Sequence, residues 1–541
     1  MVLFHDYYPL LLLALPATHA RQAAFSLADE HWTPLHAIRT VAVVGAGPAG
    51  LQAAVALQEN GLSVRLFERA PAPGGNWFFS EQLPAREKYP SNSGDPMDEE
   101  AETPRPTTVE YVDGDDGKTL EERWREHWAP RPVWKDMRIN APTAVTKLPD
   151  VNYPPGTPWE ALVHDLQRHV RAYASLHGLN VLDAPNVTSY STLVEGLNKV
   201  GDSWKLTLRR MQPFSGTVYA SRLRVDVWEE SFDAVVVAVG HFPKPYIPDI
   251  PGIHEWSRVR MADGRWPLYH AQSFRHPERY ANKTVLIVGS SVSATGIARE
   301  IAPYVSRLCV SARRNPNREF YDLNIVLAWP ENTEKLGELL EFMSFDTDAL
   351  PETLVGGKIR VREWGGAGET ILEGIDEVIL ATGYRRETFV PHLVDPVTFS
   401  NLHWTGHYIH DPTLAYAHAV RPWTHGRYQS LGFARVWRDP PTARLPSQRQ
   451  MWEDYVQAKW QFGAPLDIFP QEAMVRKYLA WLNAEALELG GPMVEPLPTE
   501  AREVYAYYTS RRWRKDFIDH DDFVRFDELP QREWPKPGPP L

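Results

Sequence analysis

Two segments about 240 residues apart share one pattern, and this pattern constrains the fold more than any other feature of the sequence. The segments read TVAVVGAGPAG from Thr40 and TVLIVGSSVSATG from Thr284. In each, a β-branched run typical of a buried parallel strand meets a turn of small residues and then a helix-compatible stretch. The strand-like runs LSVRLFE and RLCVSA follow. The sequence therefore predicts an α/β protein with two Rossmann-like dinucleotide-binding domains.

The domain order is indicated by two further strands that run into glycine. FDAVVVAVG ends at Gly240, and DEVILATG ends at Gly383. A chain of 541 residues has room for two to four domains at roughly 150 residues each. We expect a first domain over residues 38–255, a second domain inserted at 256–378, and a return to the first domain over 379–541, which includes a C-terminal extension.

The first loop has the residues that a pyrophosphate requires at the start of a helix. Gly45 permits the tight turn, Gly47 lets the backbone approach the phosphates, and Gly50 lets the helix lie close to the strand. Glu68 ends the next strand, where a carboxylate accepts hydrogen bonds from a ribose 2′-hydroxyl. Because the Glu68 carboxylate would repel a 2′-phosphate, this site suits FAD or NAD rather than NADP. The alternative is a tight turn without a ligand.

The second loop departs from strict glycine and predicts a different nucleotide. Gly289 is kept, whereas Ser291 and Ala294 stand at the second and third positions. The following strand ends at Arg313 and Arg314, with no acidic residue there. Because a guanidinium is a suitable partner for a 2′-phosphate, this site is predicted to bind NADPH. The alternative for the two arginines is a solvated basic pair.

Composition excludes several classes of function. The 57 Lys and Arg against 69 Asp and Glu give a net charge of −12, which argues against nucleic acid as a partner. Cys309 is the single cysteine and lies in an apolar strand, where we expect inert packing. The chain therefore has no intrachain disulfide and no redox cysteine pair.

The N-terminus predicts a signal peptide over residues 1–20. The apolar run from Leu10 to Leu15 is far too short to span a bilayer, and Thr18 and Ala20 are spaced as at a signal-peptidase site. This interpretation predicts the secretory pathway, either the ER lumen or secretion. The alternative is an apolar segment that packs on the body of a cytoplasmic protein. No later stretch predicts a transmembrane span.

Four further motifs resemble those of the class B flavoprotein monooxygenases, most closely the flavin-containing monooxygenases of fungal type. The sequence GGNW contains Gly75 and Trp77, which the resemblance places along the flavin. WKDMRINAP is similar to the motif that carries the family's active-site asparagine, here Asn140. AVGHFPKPYIPDIPG from Ala238 and ATGY from Ala381 resemble the two crossings between domains.

The linker fingerprint of this family, F-x-G-x-x-x-H-x-x-x-[FY], is half present. His270 and Phe274 fit it, whereas Gly264 and Trp266 replace the expected Phe and Gly. His270 is either a linker histidine that couples the two domains or a catalytic residue. Because neither Pro nor Asp follows Phe274, the resemblance favours heteroatom oxygenation over Baeyer–Villiger chemistry.

The resemblance implies an FAD- and NADPH-dependent monooxygenase. Such an enzyme forms a C4a-hydroperoxyflavin from O₂ and oxygenates a nucleophilic nitrogen or sulfur atom of a small organic substrate, with Asn140 hydrogen-bonding near the flavin. Three alternatives remain open: a Baeyer–Villiger enzyme, an N-hydroxylating enzyme, and an uncoupled NADPH oxidase or nucleotide-binding protein that performs no oxygenation.

Overall fold

The computed structural model describes most of the chain between residues 31 and 501. The described residues are 31–91, 106–114, 116–181, 183–213, 222–240, 244–261, 264–313, 329–343, 357–385, 393, 401–417, 422–458, 468–498 and 501. The predicted signal peptide at residues 1–20 and Arg314 lie outside this set. The expectations about them stay predictions.

The described residues form strands and helices as follows. The strands are β1 Thr40–Val44, β2 Ser63–Phe67, β3 Thr107–Val112, β4 Thr188–Ser189, β5 Thr192–Val200, β6 Ser203–Pro213, β7 Arg222–Phe232, β8 Ala234–Val237, β9 Lys244–Pro245, β10 Leu268–His270, β11 Thr284–Val288, β12 Arg307–Ser311, β13 Thr333–Phe342, β14 Lys358–Glu363, β15 Glu369–Glu373, β16 Glu377–Leu380, β17 Tyr384–Arg385, β18 Leu402–His403, β19 His407–Tyr408 and β20 Leu414–Tyr416. The α-helices are α1 Pro48–Glu59, α2 Leu120–Trp128, α3 Val163–Leu176, α4 Ile253–Trp256, α5 Val292–Ile301, α6 Pro422–Trp437, α7 Gln448–Ala458 and α8 Ile468–Leu489.

The first dinucleotide unit is built on a seven-stranded sheet in the order β18-β19-β20-β8-β1-β2-β4. Strands β20, β8, β1, β2 and β4 run parallel, and β18 and β19 add an antiparallel edge. The sequences of β1 and β8, TVAVV and AVVV, are almost entirely buried. Continuous β-branched runs are typical of parallel strands that are covered on both faces. Helices α1 and α6 pack together in the largest core cluster of the described chain.

The second dinucleotide unit repeats this plan on another seven-stranded sheet, in the order β10-β16-β11-β12-β13-β14-β15. Strands β10, β16, β11, β12 and β13 are parallel, whereas β14 and β15 form an antiparallel edge. The two sheets confirm the predicted fold class of two Rossmann-like units.

The chain crosses between the sheets at two adjacent places. It leaves the first sheet after β8 and returns to it at β18, having formed all of the second sheet in between. The outgoing strand β9 pairs antiparallel with the returning strand β17. The crossings that end at Gly240 and Gly383 therefore lie side by side, while the residue boundaries of the domains stay a prediction.

A third, antiparallel sheet with the order β3-β7-β6-β5 was not predicted from the sequence. In β7, Leu223, Val225 and Val227 are buried and alternate with more exposed residues, the period of a strand with one solvated face. They pack with Leu120 of α2. Strand β3 of this sheet lies in the acidic stretch that precedes residue 128.

A buried ion cluster joins the segment before β11 to β16, the strand of the second sheet after which the chain returns to the first sheet. Glu377 begins β16 and is completely buried. Its carboxylate accepts hydrogen bonds from Arg279 at 2.7 Å, from the Tyr269 hydroxyl at 3.1 Å, and from Lys283. Removing one partner of such a group leaves buried charges without compensation.

Replacing Glu377 by Ala should lower the free energy of unfolding by about 3–5 kcal/mol, because two cations lose their shared anion. Urea denaturation of parent and variant measures this. The control is Glu373→Ala: that side chain is 65% exposed and pairs with Lys358 at 3.3 Å. Its loss should cost no more than about 1 kcal/mol. Equal effects of the two substitutions would show that the Glu377 cluster contributes no special stability.

No helix among the described residues is long and apolar enough to cross a membrane.

Candidate functional site

The first loop is held by packing at two of its three glycines. A Cβ on Gly45 or Gly50 would collide with the carbonyl oxygen of Ala238 or of Gly45, respectively. Gly47 differs, because a Cβ there would meet nothing closer than the Gly75 Cα at 3.5 Å. Protein packing therefore requires glycine at the first and third positions. The second leaves open space beside the start of α1, where a phosphate could approach.

The start of α1 has the properties of an anion site. Among the described residues no side chain caps this helix, and its first turn contains no acidic residue. The unpaired N–H groups of such a terminus, together with the helix dipole, favour a bound phosphate. The residues present therefore fit a dinucleotide pyrophosphate.

Glu68 is buried beside this loop, and backbone groups of the protein already use part of its hydrogen-bonding capacity. Its carboxylate accepts hydrogen bonds from Ala46 N–H at 2.7 Å and Ala70 N–H at 2.9 Å. Arg131 lies 3.7 Å from the same carboxylate. Burial, then the charge of Arg131, lowers the pKa of Arg69 to about 9, and Glu68 opposes the shift. The charges of Arg131 and Arg69 thus both act on the Glu68 carboxylate at the predicted ribose end of the site. Sequence reasoning missed both arginines, although Arg69 directly follows Glu68.

The GGNW segment lies against the first loop. Gly75 has a φ of +56°, and a Cβ there would lie 2.8 Å from the Gly47 Cα, so this contact requires glycine. Gly75 begins the 3₁₀ helix Gly75–Trp77, and the centre of the Trp77 ring lies 6.4 Å from that of Trp423. The sequence predicted Gly75 and Trp77 as flavin-binding residues. It gave no signal for Trp423, a residue of α6 whose ring packs beside that of Trp77.

The second loop repeats the first with one change in packing. A Cβ on Gly289 would collide with the carbonyl oxygen of Ala381, as one on Gly45 would with that of Ala238. At the third position Ala294 is fully buried, so α5 accommodates a methyl group where α1 requires glycine. Ser291 is the N-cap residue of α5 and is exposed, with no side-chain cap bond in the described structure. The start of α5 is therefore also available to an anion.

Arg313 lies two residues after the end of β12, and its side chain is exposed. The end of this strand corresponds to the end of β2, where Glu68 stands in the first unit. The position suits a residue that contacts a ribose phosphate at the edge of the site. Arg314, its predicted partner, lies outside the described residues.

The segment that carries Asn140 connects the two units. At one end, Trp134 donates a hydrogen bond to Glu300 of α5 at 2.5 Å and packs against Gly296. At the other, Ile139 is buried in the core of the first unit. Asn140 follows Ile139 and is exposed. The structure thus places Asn140 on a segment anchored in both dinucleotide units.

His270 lies at the end of β10 and is buried. Its Nδ1 accepts a hydrogen bond from Gln272 N–H at 3.1 Å, and its ring meets the edge of Tyr384 at 5.2 Å. Burial lowers the pKa of His270 to about 4, and the Gly383 backbone opposes the shift. The ring is therefore neutral at pH 7. These contacts are those of a histidine that couples the linker to the returning crossing.

The two departures from the linker fingerprint occupy a turn on the surface. Gly264 has a φ of +79°, and a Cβ there would meet open space. The Trp266 ring lies between two guanidinium groups, that of Arg86 at 3.4 Å and that of Arg260 at 3.9 Å from the ring centre. Phe274, in contrast, is fully buried in the core of the second unit.

Comparison with known proteins identifies the family. Residues 43–93 match the NAD(P)-binding Rossmann-like domain, and residues 223–317 match the Flavin-binding monooxygenase-like family. The chain is 30% identical over 515 residues to flavin-containing monooxygenase iboF of Amanita muscaria (strain Koide BX008), an alignment that covers 86% of this chain and 92% of the relative. The chain belongs to the flavin-containing monooxygenases. It is also 28% identical over 499 residues to flavin-containing monooxygenase ustF2 of Aspergillus flavus, covering 82% of this chain and 91% of that protein.

Solved structures show the same fold. S-allyl-L-cysteine S-oxygenase from Allium sativum has a TM-score of 0.58 at 20% identity, covering 89% of this chain and 95% of that chain. Tmm from Pelagibacter sp. strain HTCC7211 has a TM-score of 0.59 at 17% identity, covering 88% and 92%.

Membership of this family implies FAD and NADPH as the cofactors of this flavin-containing monooxygenase. The uncapped helix starts and the open space at Gly47 fit two dinucleotides. The assignment of FAD to the loop of α1 and of NADPH to the loop of α5 is a prediction, as are the roles of the individual site residues.

Replacing Gly47 by Val should give folded but colourless protein, because the protein has room at this position that a bound pyrophosphate would need. Flavin absorbance per protein and circular dichroism measure the two properties. In the matched control Gly50→Val, the new side chain meets the Gly45 backbone, so folding itself should suffer. A Gly47→Val variant with a full complement of FAD would contradict the assignment of this loop.

Replacing Arg313 by Ala should weaken NADPH binding by about 1.5–3 kcal/mol, or roughly 10- to 150-fold, because a charged hydrogen-bond partner of the 2′-phosphate is lost. NADH binding should change little. Equilibrium titration with each nucleotide measures the ratio, and Arg299→Ala, an exposed arginine on α5, serves as control. An unchanged NADPH-to-NADH preference in Arg313→Ala would refute the role of this residue.

Proposed function

We propose that this flavin-containing monooxygenase uses FAD and NADPH to transfer one oxygen atom of O₂ to a nucleophilic nitrogen or sulfur atom of a small organic substrate. The observation that carries the proposal is the arrangement of two dinucleotide loops on two sheets, joined by a segment anchored in both. Two nucleotides are needed when one supplies hydride and the other uses it.

The cofactors supply the redox chemistry: NADPH provides two electrons as hydride, and FAD uses them to activate O₂. The tasks left to the protein are binding, orientation and the exclusion of water. Because the two cofactors would carry the electrons, the function does not require His270 to be charged, and its neutral state at pH 7 is compatible with this function.

Binding of the two nucleotides falls to the two loops. The starts of α1 and α5 would present N–H groups to the pyrophosphates, and Gly47 leaves space for close approach. Glu68 would bind the ribose of FAD with the acceptor capacity that its two protein hydrogen bonds leave. Arg313 would bind the 2′-phosphate of NADPH.

Exclusion of water is favoured by the aromatic residues near the GGNW segment. Trp77 and Trp423 both pack against the core of the first unit. Phe78 meets the edge of Trp128 at 5.4 Å between ring centres. Apolar rings beside a flavin would keep water from a reactive oxygen species.

Asn140 would hydrogen-bond near the reacting part of the flavin. An amide provides both N–H donors and a carbonyl acceptor without a net charge. The anchoring of its segment by Ile139 and Trp134 would fix the position of the side chain relative to both nucleotides.

The open alternatives differ in product. A Baeyer–Villiger enzyme would oxygenate a ketone, an N-hydroxylating enzyme a primary amine, and an uncoupled oxidase would release only hydrogen peroxide. Arg275 follows Phe274 where Baeyer–Villiger enzymes have Pro or Asp, which supports heteroatom oxygenation.

The test is a set of parallel assays of the purified protein with NADPH and ¹⁸O₂, each containing a sulfide, a tertiary amine, a primary amine or a ketone. We expect one ¹⁸O atom in the sulfoxide or N-oxide for each NADPH consumed in coupled turnover. A lactone or ester from the ketone, or peroxide without labelled product from any substrate, would contradict the proposal.

Replacing Asn140 by Asp should uncouple the reaction, because a negative charge replaces amide donors beside the flavin and disfavours developing negative charge there. We expect near-normal FAD content, flavin reduction within a few-fold of the parent, and more hydrogen peroxide for each NADPH oxidised. The measurement is the ratio of oxygenated product to peroxide. Asn198→Asp, the same change at an exposed position of β5, is the control. An unchanged ratio in Asn140→Asp would leave that residue a structural role only.

A further inference from the structure

Arg275 is a buried cation in the linker between the two dinucleotide units. It follows Phe274 directly after the 3₁₀ helix Ala271–Ser273, and only 4% of its surface is exposed. Burial lowers the pKa of Arg275 to about 10, an effect that the charge of Glu81 opposes. The guanidinium therefore remains protonated at pH 7.

The hydrogen bonds of this guanidinium all end on backbone carbonyl groups. Its Nε donates to Ser80 O at 2.9 Å, its Nη1 to Gln272 O at 2.8 Å and Phe274 O at 2.7 Å, and its Nη2 to Gln82 O at 2.9 Å and Arg131 O at 3.4 Å. A guanidinium has five N–H donors, so the five acceptors use its full capacity. A lysine ammonium has three donors and no planar fork, so it can replace only part of these hydrogen bonds.

The five carbonyl groups belong to three segments with different tasks. Ser80 and Gln82 lie in the loop that follows Trp77, and so belong to the predicted flavin site. Arg131 lies three residues before Trp134, on the segment that leads to Asn140. The other two carbonyl groups are those of the linker itself. One side chain thus fixes the linker, the flavin loop and the Asn140 segment to one another.

Neighbouring contacts tie the same linker to the same loop. His276 lies 2.7 Å from the carboxylate of Glu81. Arg86 donates to Ser257 O at 2.7 Å and lies over the ring of Trp266. These side chains are more exposed than that of Arg275, and each makes a single hydrogen bond or ion pair out of the loop that follows Trp77, whereas Arg275 makes two to that loop.

We propose that Arg275 is a positioning residue that fixes the second dinucleotide unit relative to the flavin loop, so that hydride transfer between the two nucleotides depends on its five hydrogen bonds. The inference rests on the proposed use of FAD and NADPH. Reaction between two bound groups is sensitive to their relative position, and a displacement of about 1 Å can cost roughly 100-fold in rate.

The test compares Arg275→Gln and Arg275→Lys with the parent. Arg260→Gln is the matched control, because Arg260 is an arginine of the same linker whose described hydrogen bond, to Gly264 O, stays within that linker. The first measurement is the anaerobic rate of flavin reduction at saturating NADPH, per bound FAD, together with the dissociation constant for NADPH. The second is hydrogen–deuterium exchange of peptides covering residues 75–90 and 128–140, without added NADPH.

In Arg275→Gln we expect the reduction rate to fall roughly 10- to 100-fold while the dissociation constant for NADPH changes less than about 3-fold, because each nucleotide keeps its own loop. Arg275→Lys should lie between this variant and the parent. Exchange should increase in both peptides of Arg275→Gln. Arg260→Gln should resemble the parent in every measurement.

Two results would overturn the proposal. One is a reduction rate per bound FAD that is unchanged in Arg275→Gln, even if that variant is less stable, because the bonds would then serve stability alone. The other is unchanged exchange in both peptides. If the parent binds both nucleotides and is not reduced by NADPH, the proposed function fails, while the exchange measurement still decides whether Arg275 holds the three segments together. An Arg275→Gln variant too unstable to purify is replaced in both measurements by Arg275→Lys, for which an unchanged rate and unchanged exchange would overturn the proposal in the same way.

Discussion

In both dinucleotide units, the first glycine of the loop lies directly against the carbonyl group of an alanine at the end of a neighbouring parallel strand. The pairs are Gly45 with Ala238 and Gly289 with Ala381. Any side chain at either glycine would push the strand ends apart, and with them the loop and the start of the helix that follows. The anion-binding ends of α1 and α5 therefore depend on this contact. The two strands that precede these alanines, β8 and β16, are also the ones from which the chain crosses between the sheets.

The sequence predicted this framework because its signals are local. A β-branched run, a glycine turn and a helix repeat in one short segment, so the fold class and the two loops were predictable without any distant contact. The antiparallel sheet of β3, β5, β6 and β7 was not, because β3 pairs with β7, which begins more than a hundred residues later in the chain, and because β3 lies in an acidic stretch that favours solvent. Arg131 and Trp423 were also missed, because they reach the predicted flavin site through tertiary packing and their neighbours in sequence do not indicate it. Arg69 was missed although it directly follows Glu68, because the sequence does not show that its side chain is buried near that carboxylate.

The incomplete linker fingerprint is understandable in the same terms. Gly264 and Trp266 lie in a surface turn, where the tryptophan ring is held between two arginines, whereas His270 and Phe274 are buried between structural elements. The two motif residues that this chain retains, His270 and Phe274, are the buried ones. Arg275, just beyond the motif, adds the hydrogen bonds that tie the linker to the flavin loop. The position of the two units relative to each other thus depends on a few buried side chains, of which Arg275 lies outside the motif.

In the proposed function, the two loops hold two different nucleotides close enough for hydride to pass between them. Anaerobic mixing of the purified yellow protein with NADPH, and separately with NADH, tests this most directly, with flavin absorbance followed in time. We expect rapid and complete bleaching by NADPH, whereas bleaching by NADH should require a much higher concentration because NADH lacks the 2′-phosphate. Protein that binds both FAD and NADPH and yet keeps its oxidised flavin spectrum would show that hydride does not pass between the two sites.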